Sequence, residues 1–184
     1  MIKAAAAAAA LVLALPAPAR EVAGVEFPDT VSVGGQDLKL NGAGVRSKFF
    51  VKVYAGGLYL AQPSNQGAAI VAADAPKRVR MVFLREVDAK KILETYREGF
   101  ENNSAGPALP ALLQKLERLA PALADMKKGG EMLVTYLPGQ GTTVTAAGGG
   151  SVTVEGKDFA DAMFRNWLGP KPADGGLEKA FLGK

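Results

Sequence analysis

Arg46 and Tyr54 are the two residues whose types and spacing best suit the binding of an anion. Arg46 follows the glycine-rich segment Asn41-Gly-Ala-Gly-Val and precedes an apolar stretch that ends at Leu60. An unpaired guanidinium in such surroundings is costly, so it must pair with an internal carboxylate or with a ligand. Because the guanidinium is a planar fork that matches a carboxylate or an enolate, the second possibility predicts an anion receptor. Tyr54 would face the same side as Arg46 in an unbulged strand, where it either contacts the ligand or fills the core.

Histidine and cysteine are both absent from the 184 residues. Ser-His-Asp and Cys-His catalysis are therefore excluded, as are zinc sites built from imidazole or thiolate ligands. We expect no metal and no cofactor. The net charge is only +4 and the cations are scattered rather than arranged in a stripe, so nucleic acid is not an expected partner.

The elements that must position Arg46 and Tyr54 follow from the hydrophobic pattern. Alternation predicts two strands around the Gly34-Gly35 turn in 25–40, a strand over 50–59 broken or bulged at Gly56-Gly57, and strands over 77–85, 131–137, 142–147 and 151–154. Helical spacing predicts a short helix in 64–76, a helix that begins after the N-cap Asp88, and helices over 109–124 (kinked or restarted at Pro121), 157–168 and 177–182. Strands, then helices, then strands indicate an α+β fold, in which helices cover one face of an antiparallel sheet.

The first nineteen residues have the pattern of a secretory signal peptide. Lys3 precedes an uncharged apolar run over 4–15, and Ala17-Pro18-Ala19 offers a cleavage site before Arg20. The run is shorter than the about 20 apolar residues that cross a membrane, although an uncleaved anchor is the alternative. We therefore expect a signal peptide over 1–19, one domain over 20–184, no stable membrane span after cleavage, and a periplasmic or secreted location.

Several segments together resemble the chalcone isomerase-like family, most closely its bacterial exported branch. They are 41–46, 50–60, 129–139, 159–169 and 177–183, which extend over nearly all of the chain after Arg20. The resemblance implies an open-faced β-sandwich, with a ligand cleft between a large antiparallel sheet and its helices. It also implies one of two functions: closing a chalcone into a flavanone, or binding a fatty acid without catalysis.

The resemblance assigns expected roles to residues. Arg46 matches the arginine that steadies the phenolate and enolate in the isomerases and pairs with the carboxylate in the fatty-acid binders. Tyr54 stands where the isomerases have threonine and resembles the binders. Asn166 stands where the enzymes have serine or threonine.

The helix after Asp88 departs from the enzymes. In an ungapped match Lys90 and Arg97 take the places of their tyrosine and asparagine, whereas a shifted register would give those places to Tyr96 and Asn103. The sequence leaves the register open, and exposed helix cations are the alternative account of Lys90 and Arg97.

The arginine is retained and the rest of the catalytic set is missing, so the resemblance favours an exported, non-catalytic protein. Its expected partner is a fatty acid or similar amphiphilic carboxylate, and its expected ligand-binding residues are Arg46, Tyr54, Lys90, Arg97 and Asn166. One alternative is an isomerase or intramolecular lyase acting on an enone, in which Arg46 stabilises developing negative charge. Another is a protein-interaction module without a ligand, which a collapsed cleft would favour. Neither the ligand nor the oligomeric state follows from the sequence.

Overall fold

Seven strands pair in sequence order to form one antiparallel sheet. The computed structural model describes residues 19–184. In chain order its elements are β1 (Ala19–Val22), β2 (Val25–Pro28), β3 (Thr30–Val33), β4 (Gln36–Lys48), β5 (Val51–Leu60), α1 (Gly67–Ala72), β6 (Lys77–Phe83), α2 (Ala89–Asn103), α3 (Leu109–Glu117), a 3-10 turn (Ala120–Ala122), β7 (Glu131–Leu137), β8 (Gly141–Ala146), β9 (Ser151–Val154), α4 (Lys157–Leu168) and α5 (Gly175–Phe181). The sheet order runs from β3 to β9, and β1 pairs only with β2. The predicted α+β fold is confirmed.

The two faces of the sheet are covered differently. The main core lies between one face and the helices, and contains the buried aromatic residues Phe100, Phe159 and Phe164. On the opposite face a smaller core forms around Phe27 of β2 and Tyr59 of β5. The helices therefore cover one face, as expected, and the β1–β2 hairpin covers part of the other.

Close approach of α5 explains the glycines of the Asn41-Gly-Ala-Gly segment. A Cβ atom on Gly42 would lie 2.0 Å from the Ala180 carbonyl oxygen, and one on Gly44 would lie 2.5 Å from the Ala180 Cβ. The Asn41 side-chain amide donates to the Phe181 carbonyl oxygen over 2.6 Å. The glycines thus let the last helix lie directly on β4, and Asn41 binds the end of that helix.

The expected break at Gly56-Gly57 is wrong, because β5 continues without interruption from Val51 to Leu60. The register shifts lie elsewhere. Asn41 is an extra residue of β4 between the pairs Leu40–Tyr59 and Gly42–Leu58, and Val53 is an extra residue of β5 between the pairs Arg46–Tyr54 and Ser47–Lys52. Gly56 and Gly57 instead leave space for aromatic rings on the two faces of the sheet. A Cβ on Gly56 would lie 3.1 Å from the Phe181 ring, and a Cβ on Gly57 would lie 2.6 Å from the Phe27 ring.

The helices agree with the expected segments except at some ends. The helix expected over 109–124 stops at Glu117, and Pro121 lies in the separate 3-10 turn. Asp88 occupies the N-cap of α2 but accepts no capping hydrogen bond with its side chain, whereas Asp174 caps α5 by accepting from the Gly176 and Leu177 N–H groups. Within 19–184, no helix combines the length and apolarity needed to cross a bilayer. The expected signal peptide lies outside the described residues apart from Ala19, the first residue of β1.

Candidate ligand cleft

Arg46 and Tyr54 are direct neighbours on adjacent strands. The expectation that one strand carries both is wrong, since the chain turns at Phe49-Phe50 and pairs Arg46 of β4 with Tyr54 of β5. The Arg46 Cζ lies 5.8 Å from the centroid of the Tyr54 ring. Directly opposite residues of an antiparallel pair project to one face, so the two side chains still meet.

Arg46 has a guanidinium nitrogen with no partner in the described chain. Its Nε is buried and makes no hydrogen bond to any residue within 19–184. The ion pairs found within 4.0 Å in the same range do not include Arg46. The internal salt bridge considered for Arg46 is therefore not seen. A buried donor without a partner costs about 1–3 kcal/mol, which an incoming anion would relieve.

Trp167 fixes Tyr54 and was not anticipated as a site residue. Its indole Nε1–H donates to the Tyr54 hydroxyl oxygen over 2.8 Å. Burial raises the pKa of Tyr54, although the nearby Arg46 charge opposes that shift, so the phenol keeps its proton at neutral pH. The signal available in the sequence was that Trp167 is the only tryptophan, on an amphipathic segment, and that a buried indole N–H requires an acceptor.

An inner cavity of about 40 Å³ lies between the sheet and α2 and α4. Arg46, Tyr54 and Asn166 all line it, together with the apolar residues Met81, Phe83, Ile92 and Trp167. A water molecule needs about 10–15 Å³ measured in the same way, whereas cavities that hold drug-sized ligands measure about 300–1,000 Å³. The inner cavity thus has room for a few water molecules but not for a drug-sized ligand.

An outer groove of about 370 Å³ continues from the inner cavity towards the β4–β5 turn. Arg46, Val53, Val87 and Thr95 line both, so the arginine lies where the two spaces meet. The groove is also lined by apolar side chains from the turn, Phe49 and Val51. The cleft is therefore collapsed at its inner end and open at its outer end, and only the inner part agrees with the expectation for a module without a ligand.

Asn166 forms part of the wall of the inner cavity. Its side-chain amide donates to the Met163 and Ala162 carbonyl oxygens one turn earlier in α4, over 2.8 and 3.2 Å. Its Oδ1 faces Gly99 of α2, where an added Cβ would lie 1.7 Å away. Gly99 thus permits the close contact between α2 and α4, and the donor group of Asn166 is bonded within its own helix.

Lys90 and Arg97 are not brought to the cleft. The Lys90 side chain is 89 % exposed and its Nζ lies 4.0 Å from a Glu94 oxygen. Arg97 donates to Glu117 of α3. Neither lines the inner cavity or the outer groove. Lys90 and Arg97 instead lie on the outer surface of the helices, as the alternative account of exposed helix cations predicts.

The two residues of the shifted register have different positions. Tyr96 lines the inner cavity, and burial raises its pKa, so it too remains neutral. Asn103 lies outside that cavity and binds the loop after α4, donating to the Lys171 carbonyl oxygen and accepting from the Lys171 N–H. Of the two, the structure places only Tyr96 beside Arg46.

The fold is an open-faced β-sandwich, in which helices cover one face of an antiparallel sheet. Its cleft narrows at Arg46. The chain belongs to the chalcone isomerase-like family, whose model matches residues 19–183. Among solved structures it is similar to a fatty-acid-binding protein from Arabidopsis thaliana, with a TM-score of 0.67 and 19 % sequence identity over 86 % of this chain and 92 % of that one. At that identity the likeness concerns the fold. A comparison with curated protein sequences gave no significant match.

Proposed function

We propose that this protein is an exported, non-catalytic binder of a fatty acid or similar amphiphilic carboxylate, whose head group pairs with Arg46. The observation that carries the proposal is the buried Arg46 Nε without a partner among the described residues, at the point where the inner cavity meets the outer groove. The similar fold of the Arabidopsis fatty-acid-binding protein adds support.

The head group has two donors available. Arg46 offers a charge-assisted hydrogen bond, which is about twice as strong as a neutral one. The Tyr54 hydroxyl accepts from Trp167, so its own proton is left to donate to a carboxylate oxygen. Arg46 and Tyr54 therefore act together as the anion receptor.

The alkyl chain runs along the outer groove. The inner cavity of about 40 Å³ has no room for it, whereas the groove of about 370 Å³ is lined by Phe49, Val51, Val53 and Val87. This orientation places the carboxylate inside and the end of the chain near the β4–β5 turn.

Among the described residues that line the inner cavity, none is suited to the proton transfer that the isomerase alternative requires at neutral pH. Burial raises the pKa values of Tyr54 and Tyr96, and no carboxylate is among the residues found to line the inner cavity. General acid–base catalysis works best with a group whose pKa lies near the operating pH. A cation beside neutral phenols suits binding better than proton transfer.

Trp167 supplies a built-in reporter for testing the proposal, since it is the only tryptophan and lies on the cavity wall. Titration of the protein with palmitate should change the fluorescence emission of Trp167 until the binding site is saturated. Arg46→Met, which keeps an apolar stem and removes the charge, should weaken palmitate binding by roughly 10- to 100-fold, since a hydrogen bond to a charged group contributes about 1.5–3 kcal/mol.

Arg97→Met is the matched control, because the same substitution then removes an arginine outside the cleft. It should leave palmitate affinity unchanged. Equal affinity in wild type and Arg46→Met, or equal losses in both variants, would refute the role of Arg46. Palmitate brominated near its carboxyl group should quench Trp167 more than palmitate brominated at its tail, and the reverse would show that the inner cavity opens to take the chain.

A further inference from the structure

The turn between β4 and β5 exposes large hydrophobic side chains to solvent. Within the described residues, Phe49 is 85 % exposed, Phe50 is 104 % exposed and Val51 is 44 % exposed. Adjacent exposed aromatic residues at the end of a hairpin contribute little to the core. Such an apolar patch on a soluble domain marks a contact with another surface.

The backbone at this turn has positive φ angles that are unfavourable for phenylalanine. Phe49 has φ of 49° and Phe50 has φ of 65°, and both lie between the paired residues Lys48 and Val51. A two-residue turn with two positive φ angles favours asparagine and glycine, and a bulky residue there is an outlier. The β3–β4 turn of the same sheet also has positive φ angles, 57° and 79°, but its residues are Gly34 and Gly35, which adopt them without strain. Because left-handed backbone is unfavourable for a non-glycine residue, turn stability does not account for two phenylalanines at these positions.

The charges around the turn favour an anionic surface. Lys48 and Lys52 flank the two phenylalanines, and Arg85 and Lys91 lie on the other wall of the outer groove. The groove contains two carboxylates, from Glu86 and Asp88, and four cations, from Arg46, Lys48, Arg85 and Lys91. Glu86 pairs with Lys127 over 3.1 Å, and Lys91 pairs with Glu94 over 3.1 Å, whereas the ion pairs found within 19–184 include neither Lys48 nor Lys52. The surface around the turn therefore has an excess of positive charge.

Exposed aromatic residues between lysines match the chemistry of an anionic lipid bilayer. Aromatic side chains enter the boundary between head groups and acyl chains, while lysines bind the phosphates. We propose that the turn Lys48–Lys52 docks the protein onto an anionic membrane by inserting Phe49 and Phe50. Docking in this way brings the mouth of the outer groove, which Lys48 and Phe49 line, against the lipid. The proposal goes beyond fatty-acid binding and does not depend on it.

The decisive variant is Phe49→Asn with Phe50→Gly, which replaces the strained pair by a favoured turn sequence. Wild type should float with vesicles of phosphatidylcholine containing phosphatidylglycerol, and bind pure phosphatidylcholine less. The double variant should lose vesicle binding and yet unfold at a higher urea concentration than wild type. A gain in stability excludes misfolding as the reason for the lost binding.

Two further variants test the charge and the position of the contact. Lys48→Gln and Lys52→Gln should each weaken binding to the anionic vesicles about fivefold, since a lysine near an anionic membrane contributes about 1 kcal/mol. Arg97→Met removes a charge on the helical side and should bind as wild type does. All variants are compared with the same N-terminus, because the apolar run over 4–15 could itself bind lipid.

Three results would overturn the proposal. The first is vesicle binding by the Phe49→Asn, Phe50→Gly variant equal to that of wild type. The second is wild type that binds neither kind of vesicle. The third is a dimer in the absence of lipid that the double variant abolishes, which would assign the turn to a second copy of the chain.

Discussion

Gly44→Ala should destabilise the protein through a single contact with α5. The added methyl group would lie 2.5 Å from the Ala180 Cβ and 3.4 Å from a Leu177 methyl group. Overpacking of this kind costs about 1–3 kcal/mol. The lower backbone entropy of alanine in the unfolded chain returns about 0.4–1 kcal/mol. We therefore expect Gly44→Ala to lower the free energy of unfolding by about 1–2 kcal/mol.

Ala180→Gly should rescue Gly44→Ala. By itself Ala180→Gly costs roughly 0.5–1 kcal/mol, because glycine is unfavourable inside a helix. In the double variant the two methyl groups no longer collide and the entropic gain of alanine at position 44 remains, so the loss should be smaller than that of Ala180→Gly alone. Urea denaturation of wild type, both single variants and the double variant gives the coupling energy, which we expect to equal the overpacking cost of about 1–3 kcal/mol in favour of the double variant.

Gly42→Ala provides the matched control for this cycle. Its added methyl group would lie 2.0 Å from the Ala180 carbonyl oxygen, which is backbone and remains in Ala180→Gly. The pair Gly42→Ala and Ala180→Gly should therefore show coupling below about 0.5 kcal/mol, as independent changes do. If the Gly44 pair shows no coupling, or if Ala180→Gly rescues both glycine variants alike, then contact with α5 is not what requires glycine in β4.

Two further predictions concern buried charge and export. Lys77 is 2 % exposed and donates to the Ile70, Val71 and Ala73 carbonyl oxygens, so Lys77→Met should cost about 1–3 kcal/mol at pH 7. Burial, and secondarily the Lys157 charge, lowers the pKa of Lys77 from 10.5 to about 8. Between these pH values unfolding takes up a proton, so the stability difference between wild type and variant should widen as the pH rises; a constant difference would contradict the lowered pKa. If export occurs as proposed, protein from the periplasm or medium should begin at Arg20, whereas a chain that still begins with Met1 would refute cleavage.

Local patterns in the sequence were enough to predict most elements. The periodicity of 157–168 predicted α4 with the same ends as the structure. Its capping residues, Gly156 and Gly169, directly precede and follow the helix in the sequence, so no distant contact is needed to define its ends. The spacing of Ile92, Tyr96 and Phe100 also predicted the buried side of α2. Lys90 and Arg97 are off that stripe, so helical spacing alone already opposed the match that placed them in the cleft.

Contacts between distant parts of the chain could not be predicted in the same way. The reason for Gly42 and Gly44 is α5, which lies more than a hundred residues later in the sequence. The turn at Phe49-Phe50 was missed because neither residue favours positive φ, and Arg46 and Tyr54 were consequently assigned to one strand. The size of the inner cavity depends on how α2 and α4 pack over the sheet, with Gly99 against Asn166, and no local pattern determines it.

The β4–β5 hairpin connects the two proposed activities through one continuous piece of backbone. α5 packs on β4 at Gly42 and Gly44, and the Asp174 carboxylate at the start of α5 accepts the Ser47 N–H over 2.8 Å, next to Arg46. The chain then reverses at Phe49-Phe50, three residues beyond that arginine. The buried Arg46 Nε, which has no partner within 19–184, and the exposed aromatic turn are each unfavourable for folding alone. Their positions at the two ends of one groove are explained together if an amphiphilic anion enters from a membrane and comes to rest at Arg46.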